Sequence, residues 1–121
     1  EISAGELIDK ITILEIKNEK INDDQKLIDI NKELISLNST VKEFIPDLNK
    51  VSNLKNDLKN INLKLWDIED SKRNAEKNKK FDEEFIQLAR NVYKFNDERA
   101  KIKLSINIIL ESNIKEVKSY K

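Results

Sequence analysis

A chain of 121 residues with one glycine and one proline, where ordinary usage is about 7% and 5%, has few places to stop a helix. It carries 23 basic and 23 acidic residues for a net charge of zero, and no cysteine, histidine or methionine. That excludes disulfides and thiolate chemistry, removes the commonest metal ligand and general base, and argues against a zinc site, because carboxylates alone suit magnesium or manganese.

Four helices are predicted, each with an apolar seam at 4-3 spacing, the pattern of helices packed side by side. The first carries Leu7, Ile11, Leu14 and Ile21, with Asn18 interrupting, and Ser3 with Glu6 forms a candidate capping box at its start. Ile13 and Ile16 lie opposite that seam. A helix apolar on two sides is buried on two sides, either at the centre of a bundle or in a subunit contact. A homodimer is therefore expected, two-fold dimers being the commonest oligomers. Asn22-Asp23-Asp24 breaks the chain, and either aspartate can cap the second helix. The second seam is Leu27, Ile30, Leu34, Leu37, Val41 and Phe44, and Pro46 stops the helix and can open the third.

The third seam is Leu54, Leu58, Ile61, Leu65 and Ile68, preceded by Leu48 and Val51. Asn78 to Asp82 is the next break, with Lys77, Lys79 and Lys80 suited to a helix C-terminus and Asp82, Glu83 and Glu84 to an N-terminus. The fourth seam is Phe81, Phe85, Leu88, Val92, Phe95, Ile102, Ile106 and Ile109, with Arg99 in its one missing slot. Ser112-Asn113 is expected to end that helix, leaving Ile114, Val117 and Tyr120 to dock a short tail.

The expected fold is all-α: a four-helix antiparallel bundle in a single domain over 1–121. A long helical hairpin (about 47–111), its helices about 45 Å long at 1.5 Å per residue, carries a shorter N-terminal hairpin (about 4–44) packed on it. No apolar run is long enough to span a membrane. The interleaved charges lack the basic stripe of a nucleic-acid binder. No signal-peptide pattern stands at Glu1, although the missing methionine points to residues preceding it. A cytoplasmic location is expected, with no metal and no cofactor.

A second, polar line runs beside the seam of helix three: Asn62, Trp66, Glu69, Arg73 and Glu76. Helix four has a comparable one, Ala89, Tyr93, Asn96, Ala100, Lys103 and Asn107, with Arg90 and Asp97 on a neighbouring line. An antiparallel hairpin pairs positions summing to about 159. That register sets Trp66 near Tyr93, Glu69 near Arg90 and Arg73 near Ile86. The candidate ligand- or partner-binding residues are thus Trp66, Glu69, Arg73, Arg90, Tyr93, Asn96, Asp97 and Arg99. All three arginines of the chain, against 20 lysines, fall in this region, and arginine offers a planar fork for carboxylate or phosphate that lysine lacks. The same residues would serve as Arg–Glu stitching between helices, as a pocket for a small anionic ligand, or as a surface for a partner protein. Arg99, in an apolar seam, needs an acid from another helix, Glu15 or Asp9.

Two helical enzyme families share short motifs with the chain. Glu6-x-x-Asp9 and Asp67-x-x-Asp70 have the form of the magnesium motifs of helical nucleotide pyrophosphohydrolases, without the expected partners. Leu7-Ile8-Asp9-Lys10-Ile11 looks like the start of a helical chorismate mutase, but helix one holds no arginine for a dicarboxylate. No catalytic residue is assigned.

Three blocks carry a resemblance: Ser3 to Lys17; Leu65-Trp66-Asp67-Ile68-Glu69-Asp70 with Arg73; and Phe85 to Tyr93 with Asn96-Asp97 and Arg99-Ala100. Together they resemble an uncharacterised bacterial family of unknown function, over nearly the whole chain. The resemblance implies a helical protein, sometimes associated with glycosyltransferases or cell-surface glycan proteins. It brings no catalytic residues. The resulting expectation is a non-catalytic binding or accessory module, with a small enzyme or anion binder as the alternative.

Overall fold

In a computed structural model, which describes residues 2–45 and 47–119 and side chains through Glu111, the chain forms α1 (Ala4–Lys20), α2 (Asp24–Phe44), a 3-10 turn (Leu48–Val51), α3 (Ser52–Lys77) and α4 (Glu83–Ser119). No strand occurs among the described residues. The four predicted helices are present and packed on one another, with α3 and α4 forming the long hairpin. No helix is long and apolar enough to cross a membrane, among the described residues.

The helix ends follow local chemistry. Ser3 caps α1, its hydroxyl accepting from the Glu6 N–H at 3.2 Å. The other half of the expected capping box is diverted, because the Glu6 carboxylate pairs with Lys103 of α4. Asp23 caps α2, accepting from the N–H groups of Gln25 and Lys26 at 3.0 and 3.2 Å. Pro46, expected to end α2, lies outside the described residues.

The α3–α4 turn closes as a Schellman motif. The Lys80 N–H donates to the Ala75 carbonyl at 2.8 Å and the Lys79 N–H to that of Glu76 at 3.1 Å. Lys79 occupies the left-handed position usually held by glycine, with φ 55°. Asp82 then caps α4 through the N–H groups of Glu84 and Phe85.

α1 lies at the centre and packs against each of the other three helices, whereas among the described residues α2 packs on α1 alone of the helices. Leu7, Ile8, Ile11, Val41, Ile45, Val51, Leu58, Ile106 and Leu110 form the main core. Burying each such side chain stabilises the fold by about 1.5–3 kcal/mol. Leu7, Ile11 and Leu14 on one side of α1 and Ile16 on the other, only 1% exposed, are thereby absorbed within one chain, while Ile13 is half-buried. The apolarity of α1 therefore calls for no subunit contact.

Three expectations are corrected. Phe44 is 65% exposed and Ile45 takes its place in the core. The chain leaves the helix there, with Ile45 in a non-helical conformation and its N–H still bonded to the Val41 carbonyl. Phe81 precedes the first turn of α4 and is 59% exposed, its ring meeting Phe85 edge-on at 5.2 Å. And α4 runs through Ser112-Asn113 to Ser119, because neither residue breaks a helix as glycine or proline does. The side chains of Ile114, Val117 and Tyr120 lie outside the described ones.

Candidate functional site

The chain's single glycine lets α1 dock on α4. A Cβ at Gly5 would collide with the Lys103 carbonyl oxygen, and at this close approach the Gly5 N–H, an orphan donor of the first turn, finds Asn107 Oδ1 at 2.7 Å. One turn further along α1 stands Asp9, only 2% exposed. A bare carboxylate there would be very unfavourable. Its partners come from both arms of the hairpin: Arg99 of α4 grips it with two bonds, Nε to Oδ1 at 3.0 Å and Nη2 to Oδ2, and Asn62 of α3 donates from Nδ2 to Oδ1 at 2.9 Å. The same Nδ2 donates to Thr12 Oγ1 at 2.9 Å, and Thr12 donates to the Asp9 carbonyl at 2.7 Å. Asp9, Thr12, Asn62 and Arg99 thus tie three helices through one carboxylate.

The electrostatics follow from this packing. Burial pushes the Asp9 carboxyl up, but hydrogen bonds from Arg99 and Asn62 and the charges of Arg99 and Lys103 together outweigh it, so Asp9 titrates below its ordinary value. The Asp9 hydrogen bond raises Arg99 further, against the opposing effect of burial. Neither group exchanges protons near neutrality, as a general acid or base must. Between α1 and α3, Lys59 pairs with Glu19 at 2.8 Å and Lys55 with Glu15 at 3.6 Å. Of the two acids expected for Arg99, Asp9 is therefore the partner and Glu15 is engaged elsewhere.

Beside Arg99 a groove of about 190 Å³ opens between α1 and the hairpin, lined by Ile13, Ile16, Asn62, Leu65, Trp66, Glu69, Arg73 and Arg99. Half of the sequence-predicted residues gather here: Trp66, Glu69, Arg73 and Arg99. The other half do not. Arg90, Tyr93, Asn96 and Asp97 are exposed on α4 and do not line the groove. The expected meeting of Glu69 with Arg90 does not form. Glu69 pairs with Lys72 at 3.6 Å and Arg73 with Asp70 at 3.9 Å, both within α3. Of the polar line of α3, Asn62 bonds to α1, whereas Arg90, Tyr93 and Asp97 are exposed on α4.

Asp9, Thr12 and Asn62 were not among the predicted site residues. The available signals were Arg99 in an apolar seam, which demands a buried acid, and Asp9 within the most apolar helix. Three of the four carboxylates in the two magnesium-type motifs are otherwise occupied, Glu6 by Lys103, Asp9 by Arg99 and Asp70 by Arg73. No three potential metal ligands gather among the described residues. A second concavity, about 590 Å³, lies under the hairpin turn; of its two acidic lining residues, Asp82 and Glu84, Asp82 is used as the α4 cap.

Fold and site define an all-α protein with a carboxylate-anchored arginine at the edge of an aromatic groove. The chain belongs to the Family of unknown function (DUF6165), which it matches over residues 1–121, in keeping with the resemblance carried by its three blocks. No curated protein and no solved structure matches it.

Proposed function

We propose that the chain is a non-catalytic binding module whose working surface is the groove beside Trp66, and that its ligand presents a carboxylate or phosphate group. The observation that carries this reading is the posture of Arg99. Asp9 takes Nε and one N–H of Nη2, which leaves Nη1 and the other Nη2 N–H without partners among the described residues. The side chain is 28% exposed and lines the groove. A guanidinium already fixed on one edge has little rotamer freedom left to lose when its other edge takes up an anion.

The walls support the same reading. Trp66, Leu65 and Ile13, all half-buried, offer an apolar face, and Arg73, 74% exposed, supplies a second cation at the rim. Asn62 gives its Nδ2 to Asp9 and Thr12, and its carbonyl oxygen is free among the described residues to accept from a ligand hydroxyl. The volume, about 190 Å³, is below the roughly 300–1,000 Å³ of pockets that enclose a whole drug-sized ligand. The groove therefore suits the acidic end of a ligand.

The chain's single tryptophan reports from the groove. Its fluorescence, titrated with inorganic phosphate and with benzoate at constant ionic strength, is expected to change and saturate with at least one of them. Arg73→Ala, at an exposed position, is expected to leave the fold intact and weaken that binding about fivefold. Absence of any saturable change with either anion would reduce Arg99 to a helix stitch and overturn the proposal.

A further inference from the structure

The four predicted residues that avoid the groove share the outer side of α4 with a set of exposed apolar side chains. Ile86, Arg90, Tyr93, Asp97, Leu104 and Ile108 recur at steps of three, four or seven residues, so they lie along one line of the helix. Over its length the line is open. Ile86 is 44% exposed, Tyr93 78%, Leu104 59% and Ile108 56%, and Arg90, Asp97 and the intervening Ala100 are also exposed. Arg90 and Asp97 are seven residues apart, too far to pair with each other, and neither makes an ion pair among the described residues.

We infer that this line is a self-association surface, and that its occupant is the same line of a second copy, running antiparallel. The charges select the arrangement. A parallel pairing would set Arg90 against Arg90 and Asp97 against Asp97. An antiparallel pairing centred on Asp97 would again oppose two aspartates. Centred at Tyr93-Lys94, the two-fold axis sets each Arg90 against the partner's Asp97, giving two reciprocal pairs from one self-complementary patch. Tyr93 then lies at the axis, where arginine and aromatic side chains are enriched in interfaces. The same register brings Ile86 opposite the partner's Lys101, within a turn of its Ala100 and Leu104. The exposed Phe81 of the hairpin tip falls within a turn of the partner's Leu104 and Ile108. Apolar ends therefore meet apolar ends, over a strip about 34 Å long at 1.5 Å per residue. The groove beside Trp66 remains open in this dimer, so the two surfaces can be tested separately.

Sedimentation equilibrium across a concentration series, with helicity checked by circular dichroism, decides it. The wild type is expected to pass from one chain to two as concentration rises. Arg90→Asp and Asp97→Arg each replace two attractive contacts with two repulsive ones, so each is expected to weaken association about tenfold or more. The double variant R90D/D97R restores opposite charges across the axis and is expected to recover the wild-type constant within about threefold. A wild type that stays monomeric at millimolar concentration would overturn the inference. So would a dimer insensitive to either reversal, or a double variant as weak as the singles.

Discussion

Replacing Arg99 by methionine tests whether one buried carboxylate organises the bundle. Methionine keeps much of the apolar stem but removes both bonds to Asp9. The carboxylate is then left 2% exposed, with Asn62 as its remaining side-chain hydrogen-bond donor and Lys103 as the cation acting on it. Removing one partner of a buried pair costs about 3–5 kcal/mol. Because Arg99 is itself 28% exposed, water can reach part of the site and relieve some of that penalty. A loss of about 3 kcal/mol is the expected value.

The sign of the pH dependence sharpens the test. In the wild type Asp9 is depressed below its unfolded value of 3.8. Its contribution is therefore fully present above about pH 4 and lost as pH falls through the lower folded value. In Arg99→Met the largest lowering influence is gone and burial dominates, so the carboxyl should titrate above its unfolded value. The deficit of the variant against wild type should then be greatest at neutral pH and shrink in acid. Urea unfolding followed by circular dichroism at pH 7 and pH 3.5 measures both. A deficit under about 1 kcal/mol, or one that does not shrink with acid, would refute the claim that Asp9 is buried and held ionised by Arg99.

Two further predictions concern the backbone. Gly5→Ala places a methyl group against the Lys103 carbonyl, which is backbone and cannot rotate away. Thermal or urea unfolding should register a loss of about 1–3 kcal/mol, and the reverse change at an exposed position, Ala100→Gly, should cost only about 1 kcal/mol. Lys79→Gly relieves a left-handed residue in the Schellman turn. It should raise stability by about 0.5 kcal/mol, the left-handed strain partly offset by the greater unfolded-state entropy of glycine; a decrease would contradict the positive φ at this position.

Much of the fold was legible because the periodicity is strong and the breakers are few. Apart from Phe44 and Phe81, the seam residues are buried or half-buried, and Asp23 and Asp82 cap the helices they precede. The misreadings lie where two adjacent residues compete for one place, as with Phe44 and Ile45, or where a soft signal such as Ser112-Asn113 was set against a long helix. The site was half legible. Spacing placed Trp66, Glu69 and Arg73 on one line of α3, and Arg99 in an apolar seam called for an acid. Spacing alone could not show which neighbour that α3 line faces. A hairpin register pairs α3 with α4, but α1 packs on both arms of the hairpin, so that Asn62 bonds to α1 and Trp66 shares a groove with it. Asn62 and Asn107 stood on the polar lines without distinction, because what sets them apart is a partner in α1 more than 50 residues away in sequence.

The anion-binding reading can be tested on the arginines themselves. The chain holds only Arg73, Arg90 and Arg99, so three Nε–H signals report three separate places in a nitrogen–proton correlation spectrum. On titration with inorganic phosphate at constant ionic strength, the groove predicts saturating shifts at Arg99 and Arg73 with a common binding constant, and no matching shift at Arg90. Equal, non-saturating drift of all three signals, or a response confined to Arg90, would contradict it.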